Sequence, residues 1–132
     1  MEILLYGSDK EIEERMRGVV TASGGAGAVC FHASLESLLK VLQQPSAEPR
    51  ITVIAVSGSR ELEALSRHRT TIGDMRTILI LPDRTKATVH QALRLYPRFI
   101  AYRDGDFQDL AAILRKMNKK IPKSASHRHG TI

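Results

Sequence analysis

Four short polar segments each follow an apolar run, and their side chains are the candidates for binding chemistry. They are Gly7-Ser8-Asp9, Val56-Ser57-Gly58, Leu81-Pro82-Asp83 and Arg103-Asp104-Gly105. Hydroxyls, backbone N–H groups and a guanidinium at such positions could hold an anion, whereas a divalent cation such as Mg²⁺ needs several oxygen ligands. The segments therefore raise the hypothesis of an anion site.

An anion site would use Ser8, Ser57 and Ser59 together with Arg103. Serines at these positions also cap helices and complete turns, and we favour that interpretation. FMN binding is disfavoured because the segment that follows the first apolar run is short and acidic rather than rich in hydroxyls and glycine. Gly24-Gly25-Ala26-Gly27 ends a predicted helix and leads into a strand, which is the reverse of a dinucleotide-binding loop.

Metal and thiol chemistry have weaker support. His32, His68 and His90 fall on three separate predicted elements, so we predict no metal site from them. His127 and His129 flank Arg128 and could hold a metal only weakly. The single cysteine, Cys30, cannot form an internal disulfide, and its apolar surroundings predict a buried thiol.

The elements that position these segments are five apolar runs alternating with five stretches of helical periodicity. The runs are Ile3–Tyr6, Ala28–His32, Ile51–Val56, Thr77–Leu81 and Phe99–Tyr102. The third is β-branched and almost continuously apolar, which is typical of a central parallel strand. Alternation of strand and helix requires parallel pairing through right-handed crossovers. We predict a three-layer α/β/α sandwich with the flavodoxin-like strand order 2-1-3-4-5.

The helical stretches each carry one apolar face. The fourth, from about residue 85 to residue 95, is predicted to bury Val89, Ala92 and Leu93. In the last one the apolar residues recur at helical spacing, and they are Phe107, Leu110, Ala111, Leu114 and Met117. In a sheet of this kind a site lies beyond the carboxyl ends of the strands, which is where the four polar segments fall.

Three stretches of the chain resemble the receiver domain of two-component signalling. Ile3-Leu4-Leu5-Tyr6 resembles that family's first strand, and residues 33–39 resemble the start of its second helix. Residues 103–110 match in length the family's Lys-Pro-Phe-Asp-x-x-x-Leu stretch. The resemblance covers residues 2–118 and implies a receiver-like fold.

The chemistry of that family requires two acids after the first strand for Mg²⁺ and an aspartate after the third as phosphoryl acceptor. It also requires a hydroxyl after the fourth strand and a lysine after the fifth. The corresponding positions here are Ser8, Asp9, Ser57, Pro82 and Arg103, and no Asp or Glu lies between Arg50 and Arg60. We therefore predict a degenerate receiver, a pseudo-receiver, that takes up no phosphoryl group, holds no metal or cofactor and is not an enzyme.

Receivers use their fourth helix, fifth strand and fifth helix to bind partners, and the resemblance implies that residues 85–118 do so here. The exposed candidates on that surface are Arg94, Arg98, Tyr102, Arg115 and Lys119. The leading hypothesis is a protein-interaction module in bacterial signalling or regulation, which binds a signalling component or forms a homodimer. The alternatives are a domain that binds a small ligand or anion and an accessory protein that binds nucleic acid.

The nucleic-acid alternative comes from the net charge of +6, which is unevenly distributed. Residues 1–114 contain 14 Lys/Arg and all 14 Asp/Glu, so the excess lies entirely in residues 115–132. We predict a domain over residues 1–120 and a disordered basic tail over residues 121–132. The tail lacks aromatic residues for base stacking, which makes nucleic acid the weaker hypothesis. Without an apolar run of 18 residues or a disulfide, we expect a cytoplasmic protein.

Overall fold

The computed structural model describes residues 2–7, 9–22, 28–44, 50–69, 76–105 and 107–120. These ranges contain five strands: β1 (Glu2–Tyr6), β2 (Ala28–His32), β3 (Arg50–Ala55), β4 (Arg76–Leu81) and β5 (Phe99–Tyr102). They also contain five helices: α1 (Lys10–Ala22), α2 (Leu35–Leu42), α3 (Ser59–Ser66), α4 (Lys86–Leu93) and α5 (Gln108–Lys120). The predicted tail, residues 121–132, lies outside the described residues.

The strands form one parallel sheet in the order β2-β1-β3-β4-β5, which confirms the predicted fold class and strand order. Leu5 of β1 pairs with Phe31 of β2 and with Val53 of β3. The central strand β3 is buried from Ile51 onward. None of the described helices is both long and apolar enough to cross a bilayer.

The sheet has an apolar layer on each face because successive side chains of a strand point to opposite faces. Ile3, Leu5 and Val53 pack against α1 and α5 on one face. Leu4, Tyr6 and Ile54 pack on the other face, and the helices covering that face are α2, α3 and α4. Because the strands are parallel, the carboxyl ends of β1, β3, β4 and β5 lie along one edge of the sheet.

Two predictions of burial are wrong. Leu93, expected to face the core from α4, is 55% exposed, because Leu95 beyond the end of that helix enters the core instead and is only 1% exposed. Cys30 is exposed rather than buried, because β2 is an edge strand of the sheet. Phe107 is buried as predicted but precedes α5 rather than belonging to it, and its backbone has a φ of 64°.

Candidate functional site

Gly7 directly follows β1 at the carboxyl edge of the sheet, and the packing of Ile12 against it leaves no room for a side chain. A Cβ at Gly7 would approach Cγ2 of Ile12 to 2.6 Å, well inside contact distance. The close approach lets α1 begin directly over the end of β1. Ser8, one of the predicted site residues, lies outside the described residues.

Asp9 is the carboxylate that the described part of the chain places directly after β1, and it serves two internal partners. Its Oδ1 accepts a hydrogen bond of 2.9 Å from the N–H of Ile12, which caps the start of α1. Its Oδ2 pairs with the Arg103 guanidinium at 2.5 Å. The Ile12 N–H, followed by the hydrogen bond from Arg103, holds the pKa of Asp9 below its ordinary value.

Arg103 directly follows β5, and the resemblance predicts it at the position of a receiver's lysine. It lies 3.6 Å from Glu11 as well as pairing with Asp9, and the hydrogen bond to Asp9 is the main cause that raises its pKa. The cation at this position is therefore already neutralised by the chain itself. An external anion would have to compete with two carboxylates for it.

The end of β3 carries a carboxylate that sequence reasoning missed. Glu61, from the first turn of α3, reaches back to accept a hydrogen bond of 2.7 Å from the Ser57 N–H. Its other carboxylate oxygen accepts a hydrogen bond from the Tyr6 hydroxyl. Burial, followed by the hydrogen bond to Glu61, raises the pKa of Tyr6 far above its usual range. Glu61 therefore bridges the ends of β1 and β3, at the point where the order of the strands reverses.

The end of β4 carries hydroxyl and carboxylate groups that are used to start α4. Pro82 follows the strand, as predicted, and Asp83 accepts hydrogen bonds from the N–H and hydroxyl of Thr85. The Thr85 N–H, followed by its hydroxyl, holds the pKa of Asp83 below its ordinary value. Thr85 in turn caps α4 by accepting a hydrogen bond of 3.3 Å from the Thr88 N–H.

The loop after β5 is fastened by Arg15 of α1, which sequence reasoning also missed. The Arg15 guanidinium donates to the carbonyl of Arg103 at 2.6 Å and to the carbonyl of Gly105. It lies 3.9 Å from the centre of the Phe107 ring, within cation–π range. The Arg15 contacts hold the loop that carries Arg103 against the start of α1, where Asp9 lies.

A shallow cleft of about 230 Å³ runs along β5 toward α5. Arg84 lines this cleft. Its guanidinium pairs with Asp104 at 3.1 Å and stacks 4.1 Å from the centre of the Tyr102 ring. Tyr102, predicted to be an exposed partner-binding residue, is therefore half-buried beneath Arg84. The other lining residues come from β5 and the start of α5, and they are Phe99, Ile100, Ala101, Gly105, Phe107, Asp109 and Leu110.

The predicted partner-binding residues lie at two ends of the β5 region. Arg94 and Arg98 are exposed at the amino end of the strand, whereas Tyr102 lies at its carboxyl end. Arg115 is exposed on α5. Lys119 belongs to the same helix, but its side chain lies outside the described residues.

The residues at the carboxyl edge do not fit the Mg²⁺ site of a receiver. Asp9 faces Arg103, and Glu61 is taken up by Tyr6 and Ser57. No three His, Cys, Asp or Glu side chains of the described ranges lie close enough together to hold a metal ion. A reluctantly dehydrated ion such as Mg²⁺ needs more free oxygen ligands than the described residues of this edge present.

Comparison with solved structures places the fold among receiver-like domains. A response-regulator receiver domain from Rhodospirillum rubrum superimposes with a TM-score of 0.66 over 89% of this chain and 90% of its own, at 8% identity. A protein of Burkholderia pseudomallei K96243, provisionally assigned as pilus assembly-related, gives a TM-score of 0.67 over 96% and 90%, at 16% identity. No protein-family model and no curated protein matches the sequence. The fold is thus receiver-like, as the resemblance implied.

Proposed function

We propose that this chain is a non-phosphorylatable, receiver-like module that binds other proteins in bacterial signalling or regulation. The observation that carries the proposal is the internal use of its carboxylates. Asp9 is an ion-pair partner and a helix cap, and Glu61 bridges the ends of β1 and β3. The sequence offers no other acid near the end of β3, because none lies between Arg50 and Arg60.

The internal pairs also suit a domain that stays in one state. In a receiver that responds to phosphorylation, the phosphoryl group supplies the new contacts that shift the conformation. Here the Arg103 pair with Asp9 and the Arg15 contacts to the β5 loop already connect the groups that would have to move. The binding surface, residues 85–118, is then available without a chemical trigger.

The neighbours of the fold indicate which partner classes to test first. One is a receiver domain of signalling, and the other belongs to a protein provisionally related to pilus assembly. Components of signalling pathways and of pilus-assembly systems are therefore the first partner classes to test. The anion-binding alternative is less well supported, because Arg103, one of its expected ligands, already binds a carboxylate. The backbone N–H of Ser57, another expected ligand residue, is likewise taken up by Glu61.

The test is incubation with acetyl phosphate, or with beryllofluoride, in the presence of Mg²⁺, with an ordinary receiver domain as the positive control. We expect no mass increase of the intact protein and no change in its thermal unfolding midpoint. A phosphoryl adduct, or stabilisation by beryllofluoride, would refute the proposal. Stabilisation by sulfate that vanishes in Arg103→Ala would instead support an anion-binding domain.

A further inference from the structure

Two large apolar side chains point into solvent at the corner between α4 and β5. Leu93 is 55% exposed and Tyr96 is 75% exposed, the highest exposures among the large hydrophobic residues that the structure describes. Arg94 and Arg98, both exposed, alternate with them along the chain. We call these four residues the α4–β5 corner. Its arginine and tyrosine side chains are the types most often found at binding hot spots.

The α4–β5 corner is held rigidly from behind. Leu95, which lies between Arg94 and Tyr96 in the sequence, is almost completely buried. The Tyr96 N–H donates to the Leu93 carbonyl at 3.1 Å, and the Arg98 N–H donates to the Thr77 carbonyl of β4 at 2.7 Å. The side chains are therefore presented on a fixed backbone, and a partner that binds them has little ordering cost to overcome.

Tyr96 also has an unfavourable backbone conformation. Its φ of 54° lies in the left-handed region, which residues other than glycine rarely adopt and which disfavours bulky side chains. The fold does not need the ring there, because the ring is mostly in solvent. A strained, exposed aromatic residue is consistent with a role in binding rather than in stability.

The charge of this part of the molecule is of one sign. Between Lys86 and Arg103, which lie at the opposite end of the sheet, the chain contains Arg94 and Arg98 and no Asp or Glu. The helix α5 runs antiparallel to the strands, so its C-terminal half, with exposed Arg115 and Lys116, lies at the same end of the sheet as the α4–β5 corner. Asp109 and Asp104 lie at the opposite end of α5 and β5. The basic end of the molecule therefore complements a negatively charged partner.

We propose that the α4–β5 corner docks an acidic protein segment that places an apolar side chain against Leu93 and Tyr96. The proposal deepens the interaction role proposed above and rests on it. A second copy of this chain is a poorer occupant, since a two-fold interface would set arginines against arginines. Nucleic acid is a poorer occupant as well, because the aliphatic Leu93 neither pairs with phosphate nor stacks on a base.

The experiment selects binders from a displayed library of random peptides, with the full chain as bait, and measures the enriched peptides by fluorescence anisotropy. We expect enriched peptides to combine acidic residues with an aliphatic or aromatic residue. The double variant Arg94→Glu/Arg98→Glu should weaken binding about tenfold or more. Its matched control is Lys10→Glu/Arg17→Glu on α1, which changes the net charge equally at exposed residues on the other face of the sheet and should leave binding within about twofold.

Tyr96→Gly separates binding from folding. It should weaken peptide binding by about tenfold while leaving the thermal unfolding midpoint unchanged or higher, because glycine adopts the left-handed backbone without strain. Leu93→Ser should weaken binding in the same way. A loss of peptide binding that is matched by a loss of folded protein in both variants would overturn the proposal.

Several results would overturn this docking proposal. They are enriched peptides without acidic bias, no enrichment at all, and equal effects of the α1 and α4–β5 charge reversals. Dimerisation in sedimentation experiments that is lost in Arg94→Glu/Arg98→Glu would assign the surface to a second copy. Binding of single-stranded RNA that is lost in the same variant would assign it to nucleic acid. In contrast, phosphoryl uptake tests the proposed function alone, so the two failures are distinguishable.

Discussion

Asp9 connects two elements that are far apart in the chain, since the residue it pairs with, Arg103, lies 94 positions away. The same carboxylate caps α1 through the Ile12 N–H. Each contact needs the ionised carboxylate, or is strengthened by it. The state of this one side chain therefore affects both the start of α1 and the loop after β5.

The depressed pKa of Asp9 predicts an acid-dependent contribution to stability. A carboxyl whose pKa is lower in the folded than in the unfolded state stabilises the fold above the unfolded value, and the contribution is lost as the pH falls through the folded value. In Asp9→Asn the amide oxygen still caps α1, but the charge is gone. We expect the variant to unfold at a lower temperature than the wild type at pH 7. The gap should close as the pH falls below 3.8, the ordinary pKa of the group.

Thermal unfolding followed by circular dichroism, in steps from neutral pH to well below the ordinary pKa of an aspartate, measures this gap. Arg103→Ala is the companion variant, because it removes the ion pair while the Ile12 hydrogen bond remains. It should also unfold below the wild type at neutral pH. A gap between wild type and Asp9→Asn that stays constant over the whole pH range would contradict the assigned ionisation of Asp9.

Residue identity and spacing predicted that Asp9 and Arg103 belong to the candidate site, but they did not predict which residues each of the two contacts. Asp9 follows β1 directly, so its place at the carboxyl edge depends only on the fold class. Glu61 could not be predicted in this way, because it belongs to α3 and enters the site only by reaching back to Ser57 and Tyr6. A glutamate at the third position of a helix often accepts a hydrogen bond from a backbone N–H just before that helix. Glu61 is the third residue of α3, so this pattern is the sequence signal that could have indicated its role.

At the scale of elements, α1 packs on β1 through a contact between Ile12 and Gly7 that leaves no room for a methyl group on Gly7. A Cβ at Gly7 would come within 2.6 Å of the Ile12 side chain, whose branched carbon cannot swing away freely. Gly18 lies in the middle of α1. A methyl group added there would have no described atom from outside that helix within 4 Å, so a side chain fits. The two glycines therefore differ in whether they can be replaced.

Gly7→Ala should therefore destabilise the protein by about 1–3 kcal/mol through overpacking. Gly18→Ala should stabilise it by about 0.8–1.0 kcal/mol, because alanine has the higher helix propensity. Urea unfolding at neutral pH measures both, and each variant serves as the control for the other. Equal effects of the same sign would show that α1 does not lie against the end of β1 as described.

The strands and their order were predictable because each apolar run is short, rich in branched residues and separated from the next by a helix-length segment. The exposed end of α4 was not predictable. Helical periodicity places Leu93 beside Ala92 on the apolar face, but α4 ends at Leu93 and the chain turns so that Leu95 is buried instead. Periodicity cannot anticipate which residue enters the core once the helix has ended.

At the scale of the whole molecule, the two ends of the sheet differ in how their charged side chains are used. The internal ion pairs of Asp9 with Arg103 and of Asp104 with Arg84 lie at the carboxyl edge of the sheet. The exposed basic residues of the α4–β5 corner lie at the other end, beside its leucine and tyrosine. At the edge where such folds usually bind ligands, the carboxylates of Asp9 and Glu61 and the guanidinium of Arg103 thus have internal partners. The opposite end has charge and apolar surface available for a partner.

This division predicts the effect of removing residues 121–132. The segment contains Lys123 and Arg128 and no acid, so its deletion lowers the net charge from +6 to +4. The buried residues of α5, Leu110, Leu114 and Met117, all precede the cut. We therefore expect the truncated chain to keep the unfolding midpoint of the full chain and to bind the selected acidic peptides within about twofold. The opposite result would be that the truncated chain loses peptide binding while Arg94→Glu/Arg98→Glu in the full chain still binds. That result would assign the partner surface to residues 121–132 rather than to the α4–β5 corner.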